Sequence, residues 1–190
     1  TRPKNLYGIT KLAAEHLFSS YHELYGLTTV ILRLGNVYGV GLFTYWDSVI
    51  PKFVKLALDG EPLTVYGTGE QTRDFVHVWD VVHALGLVLK AGEGAISGEV
   101  FNVATGEPTS VNFVAEVISK VVEDECGIQV EVKPVPPPPE RVETSVPGFC
   151  LSIDKIRGTL GFNPSWEIEE GVKQLVEYYL SRQKAYQDQG

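Results

Sequence analysis

Thr28-Thr29-Val30-Ile31-Leu32-Arg33-Leu34 is a nearly continuous apolar run, rich in β-branched residues. A strand with one wet face alternates apolar and polar positions. This run does not, so it reads as a strand covered on both faces, as in a parallel sheet flanked by helices. The residues before it form a helical pattern. From about Leu6 to Tyr25, residues Leu12, Ala13, Leu17, Tyr21 and Leu24 keep helical spacing, and Gly26 stops the helix. After the run, Gly35-Asn36-Val37-Tyr38-Gly39 reads as a loop at the C-terminal end of the strand. Open α/β sheets bind their ligands at such ends. The order helix, buried strand, ligand loop makes the fold class α/β.

Further along, the pattern predicts a helix over Val49–Leu58, with Pro51 in its first turn and Gly60 at its end. Leu63-Thr64-Val65-Tyr66 and Phe75-Val76-His77-Val78 read as short strands on either side of the turn Gly67-Thr68-Gly69. Asp80 is the expected N-cap of a helix to about Lys90. Val100-Phe101-Asn102-Val103-Ala104 is a strand, Ser110 caps a helix to about Glu125, and Gln129–Val135 alternates like a strand. Pro136–Pro139 makes a stiff extended link. Helices over Asp154–Leu160 and about Ile168–Tyr186 complete the pattern, without internal repeats.

Composition bounds the function. The chain has 190 residues, 44% hydrophobic and 21% charged, with a net charge of −8. An acidic chain without a basic run is a poor match for nucleic acid, so an anionic ligand needs a few placed arginines. No apolar stretch approaches the ~18 residues of a membrane-spanning helix. Cys126 and Cys150 lack metal-ligand spacing and fit ordinary cytoplasmic thiols or one disulfide. No signal peptide is visible before the first helix, and no metal site is expected. Methionine is absent, including at position 1, and the chain opens on a helix. Both features fit a C-terminal piece of a longer protein; a processed start gives the same first residue.

The chemistry-bearing candidates lie close to the start. Tyr7 and Lys11 are four apart, which puts them on one face of a helix. A lysine ammonium beside a phenol favours the phenolate and suits tyrosine to acid/base work near neutral pH. The same spacing also describes two unrelated surface residues, and the rest of the chain decides between them. His77 and His83 flank a helix start and read as packing or capping groups, while His16 and His22 read as helix-surface residues.

Six motifs in order carry a resemblance. They are Tyr7-Gly8-x-x-Lys11-x-x-x-Glu15; Arg33-Leu34-Gly35-Asn36-Val37-Tyr38-Gly39; and Val49-Ile50-Pro51-Lys52-Phe53. Then follow Val65-Tyr66-Gly67-x-Gly69-x-Gln71-Thr72-Arg73-Asp74-Phe75-Val76-His77-Val78-x-Asp80; Phe101-Asn102-Val103-x-Thr105-Gly106; and Leu160-Gly161-Phe162-x-Pro164. Across essentially its whole length the chain resembles the C-terminal part of extended short-chain dehydrogenase/reductases that act on nucleotide sugars. UDP-glucose 4-epimerases are the nearest subgroup.

The resemblance implies a Rossmann-type fold whose tyrosine helix and late parallel strand are present, joined to a small mixed α/β substrate-binding domain. Residues 1–40 would end the NAD-binding domain, 41–190 would be mainly substrate domain, and 75–104 would return to the Rossmann sheet. It implies NAD as cofactor, Tyr7 as acid/base, and Lys11 on the cofactor ribose. The family's glycine-rich loop is absent, and Gly67-Thr68-Gly69-Glu70 lacks its third glycine. On the substrate side it implies a nucleoside-diphosphate sugar held by Asn36, Val49, Tyr66, Arg73 and Arg141. Tyr66 would lie by the base, and the two arginines by the diphosphate. The alternatives for these residues are a turn at Asn36, hairpin packing at Tyr66, and an Arg73–Asp74 ion pair on a hairpin. Two departures bear on specificity: Val40-Gly41-Leu42-Phe43 replaces the usual proline after the Asn36 motif, and Arg141-Val142-Glu143-Thr144 replaces Arg-x-Gly-Asp/Glu. The implied activity is 4-epimerisation by transient oxidation at sugar C4, with homodimerisation through the 6–25 helix. A 4,6-dehydratase, a UDP-glucuronate decarboxylase and a non-catalytic nucleotide-sugar binding piece are the rivals.

Overall fold

The computed structural model describes residues 3, 5–41, 44–138 and 148–187. Helix α1 (Leu6–Tyr25) is followed by strands β1 (Val30–Leu34) and β2 (Asn36–Tyr38), then helix α2 (Val49–Leu58). Strands β3 (Leu63–Tyr66), β4 (Thr72–Arg73) and β5 (Phe75–His77) lead into helices α3 (Val78–Lys90) and α4 (Glu93–Ile96). Strands β6 (Glu99–Val103) and β7 (Thr109–Ser110), helix α5 (Val111–Cys126) and strand β8 (Val132–Val135) follow. Helices α6 (Asp154–Leu160) and α7 (Ile168–Gln187) close the order.

Strand β1 pairs with β6 in parallel, Val30 opposite Glu99 through Leu34 opposite Val103. Parallel neighbours require a crossover, and α3 lies in the connection that leads into β6. Strand β2 pairs with β5 and β3 with β8, both in parallel, while β4 and β7 are antiparallel. The two strands around Gly67–Gly69 therefore do not form a hairpin with each other. Each finds a partner far away in sequence, so Tyr66 and Arg73 sit on separate strand pairs and the hairpin reading of both fails.

Two apolar clusters hold these pairs. One joins α2, α5 and α7 over β3, with Phe53, Val54, Leu63, Ile118 and Leu175 buried. The other joins α3, α6, β5 and β6 around Phe101, Val103, Ile156 and Phe162. Strand β1 departs from expectation: Val30, Ile31 and Leu32 are half-buried rather than covered on both faces. The cause is that β6 is its strand partner among the described residues and that α1 contributes no buried residue.

The local signals largely hold. Gly26 ends α1 in the left-handed conformation, and Ser110 Oγ caps α5 by accepting from Phe113 N at 3.1 Å. The loop expected at 35–39 contains β2 instead. Helix α3 starts three residues earlier than expected, capped by His77, and Asp80 is buried within its first turn. His22 is also more than a surface residue: it is half-buried, with Nδ1 2.9 Å from the Leu27 carbonyl.

Candidate active site

Asn5 caps α1 by accepting from Gly8 N at 2.8 Å, which puts Tyr7 in the first turn and Lys11 one turn on. The Lys11 ammonium lies over the Tyr7 ring, 5.4 Å from its centroid. Tyr7 is exposed and borders a cleft of about 690 Å³ between α1 and β1, lined also by Lys11, Glu15, Phe18, Arg33 and Asn36. The structure thus brings Tyr7, Lys11 and Asn36 to one opening, which runs along β1 and past its C-terminal end.

Asn36 opens β2, and no non-glycine residue among those described has a positive φ, so Asn36 is not there to serve a left-handed turn. Its N–H donates to the Asp74 carbonyl at 2.6 Å. A Cβ on Gly35 would meet that same carbonyl at 2.8 Å, so glycine is what lets the two chains approach.

Asp74 itself is buried and saturated. Its Oδ1 accepts from Thr105 N at 2.8 Å and Thr105 Oγ1 at 2.6 Å, and its Oδ2 from Gly106 N at 3.0 Å and Leu151 N at 3.1 Å. Asp74 therefore ties the strand bearing Asn36, the strand bearing Arg73, the turn after β6 and the 149–151 segment at one point. Asp80 does the same for the C-terminal part, accepting from Ser165 N, Ser165 Oγ and Trp166 N. Sequence reasoning reduced Asp74 to an ion-pair partner and Asp80 to a helix cap. An aspartate directly ahead of the apolar run Phe75-Val76 is the signal that could have found Asp74, since a carboxylate is buried only when its oxygens are met.

A second, smaller cleft of about 140 Å³ brings Val49 and Tyr66 together with Asp47, Lys52, Thr64 and Gln71. Gln71 Nε2 donates to the Tyr66 carbonyl at 3.1 Å, which turns its Oε1 away from that contact. Arg73 is half-buried on β4, its Nη1 donating to the Thr72 carbonyl at 2.9 Å. Arg141 lies outside the described residues. In the Gly67–Gly69 turn, Gly67 and Thr68 are exposed while Gly69 is covered by protein. Asn112 Nδ2 donates to the Thr68 carbonyl at 2.9 Å, and a Cβ on Gly69 would meet Asn112 Oδ1 at 1.8 Å.

The charged pair inside the large cleft is Glu15 with Arg33. The guanidinium holds the Glu15 carboxyl below the usual carboxylate range, and the same hydrogen bonds raise Arg33. Among the described residues no group of three or more His, Cys, Asp or Glu is placed to hold a metal ion. None of the helices there is long and apolar enough to cross a membrane.

The chain is similar in sequence and fold to several known proteins. The chain is 34% identical over 178 residues to a dTDP-D-glucose 4,6-dehydratase of Bos taurus, covering 94% of this chain and 48% of that protein. Its fold matches the UDP-glucose 4-epimerase of Thermotoga maritima, solved with UDP-glucose, at a TM-score of 0.82 and 33% identity, over 96% of this chain and 55% of that one. It also matches the UDP-glucuronic acid 4-epimerase of Bacillus cereus, solved with UDP-glucuronic acid and NAD, at a TM-score of 0.79 and 28% identity, over 95% and 54% of the two chains. The chain thus spans about half the length of the relatives it matches. The model of the NAD dependent epimerase/dehydratase family matches residues 1–104, the stretch that runs from the tyrosine helix through β6. With the helix-borne Tyr7–Lys11 pair, the Asn36 strand end and the parallel sheet all inside that match, the chain belongs to the NAD dependent epimerase/dehydratase family and has the fold of its Rossmann-type members.

Proposed function

We propose that this chain is the substrate-side part of a nucleotide-sugar 4-epimerase acting on UDP-glucose and UDP-galactose. The observation that carries the reading is that Tyr7, Lys11 and Asn36 line one cleft, which runs along a parallel strand and past its C-terminal end. The Tyr7 phenol would take and return the proton of the sugar C4 hydroxyl. The donors of Lys11 suit ribose hydroxyls, so the residues present fit one end of NAD. The Gly67–Gly69 turn lacks the third glycine of a dinucleotide loop, and Asn112 fills the space beside Gly69. When bound, NAD supplies the hydride acceptor. Arg73 and Arg141 would hold the substrate diphosphate, and Val49 and Tyr66 the base. In domain terms, residues 1–40 would end the cofactor domain and 41–190 carry most of the substrate domain. The pairing of β1 with β6 supports a return of 75–104 to the first.

Turnover of UDP-glucose and UDP-galactose by the complete protein, wild type and Tyr7→Phe, is the test. The variant should lose about 10²–10⁴-fold in rate while keeping substrate affinity. A Tyr7→Phe protein with wild-type turnover would refute the assignment.

The dehydratase reading has its own support in the 34% identity to the Bos taurus enzyme. Incubation with dTDP-glucose separates the two, since a dehydratase yields a 4-keto-6-deoxy sugar and an epimerase yields the C4 epimer. A homodimer through α1 is part of the proposal. Besides Phe18 in the cleft, the helix exposes Leu17, Tyr21, Leu24 and Tyr25, more apolar surface than a solvated helix needs.

A further inference from the structure

Helix α1 carries both candidate catalytic side chains, and a side-chain fork ties it to β1. Arg33 Nε donates to Glu15 Oε1 at 2.8 Å and Arg33 Nη2 to Glu15 Oε2 at 2.5 Å, across 18 residues of sequence. Two parallel bonds between planar groups define orientation as well as distance, which a point-charge contact does not.

The position of the fork matters. Tyr7, Lys11 and Glu15 are successive steps of four along one helix face. Arg33 lies on β1 three residues before Asn36. The fork thus joins the catalytic face of α1 to the strand that delivers Asn36, within the same cleft. At the far end, the helix is held by His22, whose Nδ1 lies 2.9 Å from the Leu27 carbonyl and 3.4 Å from Ser97 Oγ. The first turns, with Tyr7, project beyond both anchors. Eight residues of helix separate Glu15 from Tyr7, a lever of about 12 Å. A tilt of about 5° at Glu15 would carry Tyr7 about 1 Å, a misplacement that can cost about 10²-fold in rate.

We propose that the Glu15–Arg33 pair is a positioning clamp that fixes the tilt of α1 and so aligns Tyr7 with a substrate held at Asn36. The inference rests on the acid/base reading of Tyr7. Neither Glu15 nor Arg33 need touch substrate.

The test uses the complete protein with Glu15→Gln, Arg33→Lys, the reversed pair Glu15→Arg/Arg33→Glu, and Tyr7→Phe alongside. Arg33→Lys keeps the charge and loses the fork, so it should lower kcat about 10-fold to 100-fold. KM for the nucleotide sugar and the affinity for UDP should stay within about threefold, since the diphosphate residues lie elsewhere. Glu15→Gln should behave alike, and the reversed pair should recover much of the lost kcat. Single variants that keep wild-type kcat per folded molecule overturn the clamp, even if they melt earlier, because a merely structural pair lowers only the folded fraction. If those singles are unaffected while Tyr7→Phe is inactive, the clamp fails and the acid/base reading stands. If Tyr7→Phe is active, both fail.

Discussion

Asp74→Asn is the perturbation whose cost follows most directly from the structure. The carboxylate accepts four hydrogen bonds, two on each oxygen. Asparagine keeps the shape but turns one acceptor into a donor. If its NH₂ faced the Oδ2 side, the backbone N–H groups of Gly106 and Leu151 would both lose their acceptor, and neither can turn away. If it faced the Oδ1 side, the Thr105 hydroxyl could rotate and accept, leaving only Thr105 N unmet. The amide will take the second orientation. One orphaned N–H costs about 1–3 kcal/mol, and the remaining bonds lose their charge assistance at about 0.5–1 kcal/mol more. The sum is about 1.5–4 kcal/mol, a large share of the 5–15 kcal/mol of a typical domain. It corresponds to a melting shift of roughly 3–16 °C. Urea denaturation followed by tryptophan fluorescence measures it. Thr105→Val in the wild type should cost about 1.5–3 kcal/mol, because it removes a bond to a charged group. In the Asp74→Asn background the same change should cost clearly less, so the two will be non-additive. Asp74→Asn within about 0.5 kcal/mol of wild type, or strict additivity with Thr105→Val, would refute the idea that this carboxylate pins the four segments together.

Other expectations follow from single sites. His77 is buried, stacked on Trp166 with ring centroids 3.9 Å apart, and its Nδ1 accepts from Trp79 N, so the proton sits on Nε2 toward Gln174 Oε1. Burial holds its pKa below the ordinary histidine value, against the hydrogen bond to Gln174 and the Asp80 carboxylate, which act the other way. The unfolded chain then binds a proton that the folded one resists. Stability is whole above about pH 6.5 and falls as the pH drops toward the lowered folded value, a slope that His77→Gln should flatten in denaturation curves at pH 7.5 and 5.5. Gly69→Ala drives a methyl into the Asn112 amide from a backbone at φ +73°, and should lower the melting temperature by several degrees, with Gly94→Ala, which has open space, as the control. Arg73→Ala in the complete protein should weaken UDP and UDP-sugar alike by roughly tenfold to a hundredfold and uridine much less, by titration calorimetry; unchanged UDP affinity would remove Arg73 from the diphosphate site. Sedimentation of the complete protein should give a dimer that Leu17→Glu or Tyr21→Glu converts to monomer.

The chain order and most element boundaries were legible in the residues. The spans of α1, α2 and α6, and the Gly26 and Ser110 caps, follow from periodicity and local hydrogen bonding, which act within a few residues. The Tyr7–Lys11 pair was legible for the same reason, since a helix converts a spacing of four into adjacency. What a strand pairs with was not. Alternation says which face is apolar but not which distant edge completes the ladder, so the pairings of β3 with β8 and β4 with β7 were not legible, and a hairpin stood among the alternatives for Tyr66 and Arg73. Buried carboxylates were misread likewise. Asp74 and Asp80 look in sequence like an ion-pair partner and a helix cap, because the donors that bury them, at 105, 106, 151, 165 and 166, are 31 to 86 residues away. The Glu15–Arg33 fork depends on the placing of a helix against a strand. The sequence by itself determined the local elements and the catalytic pair; the tertiary structure decided which long-range partners satisfy each buried charge, because burial leaves a carboxylate no water to turn to and only the folded chain supplies its donors.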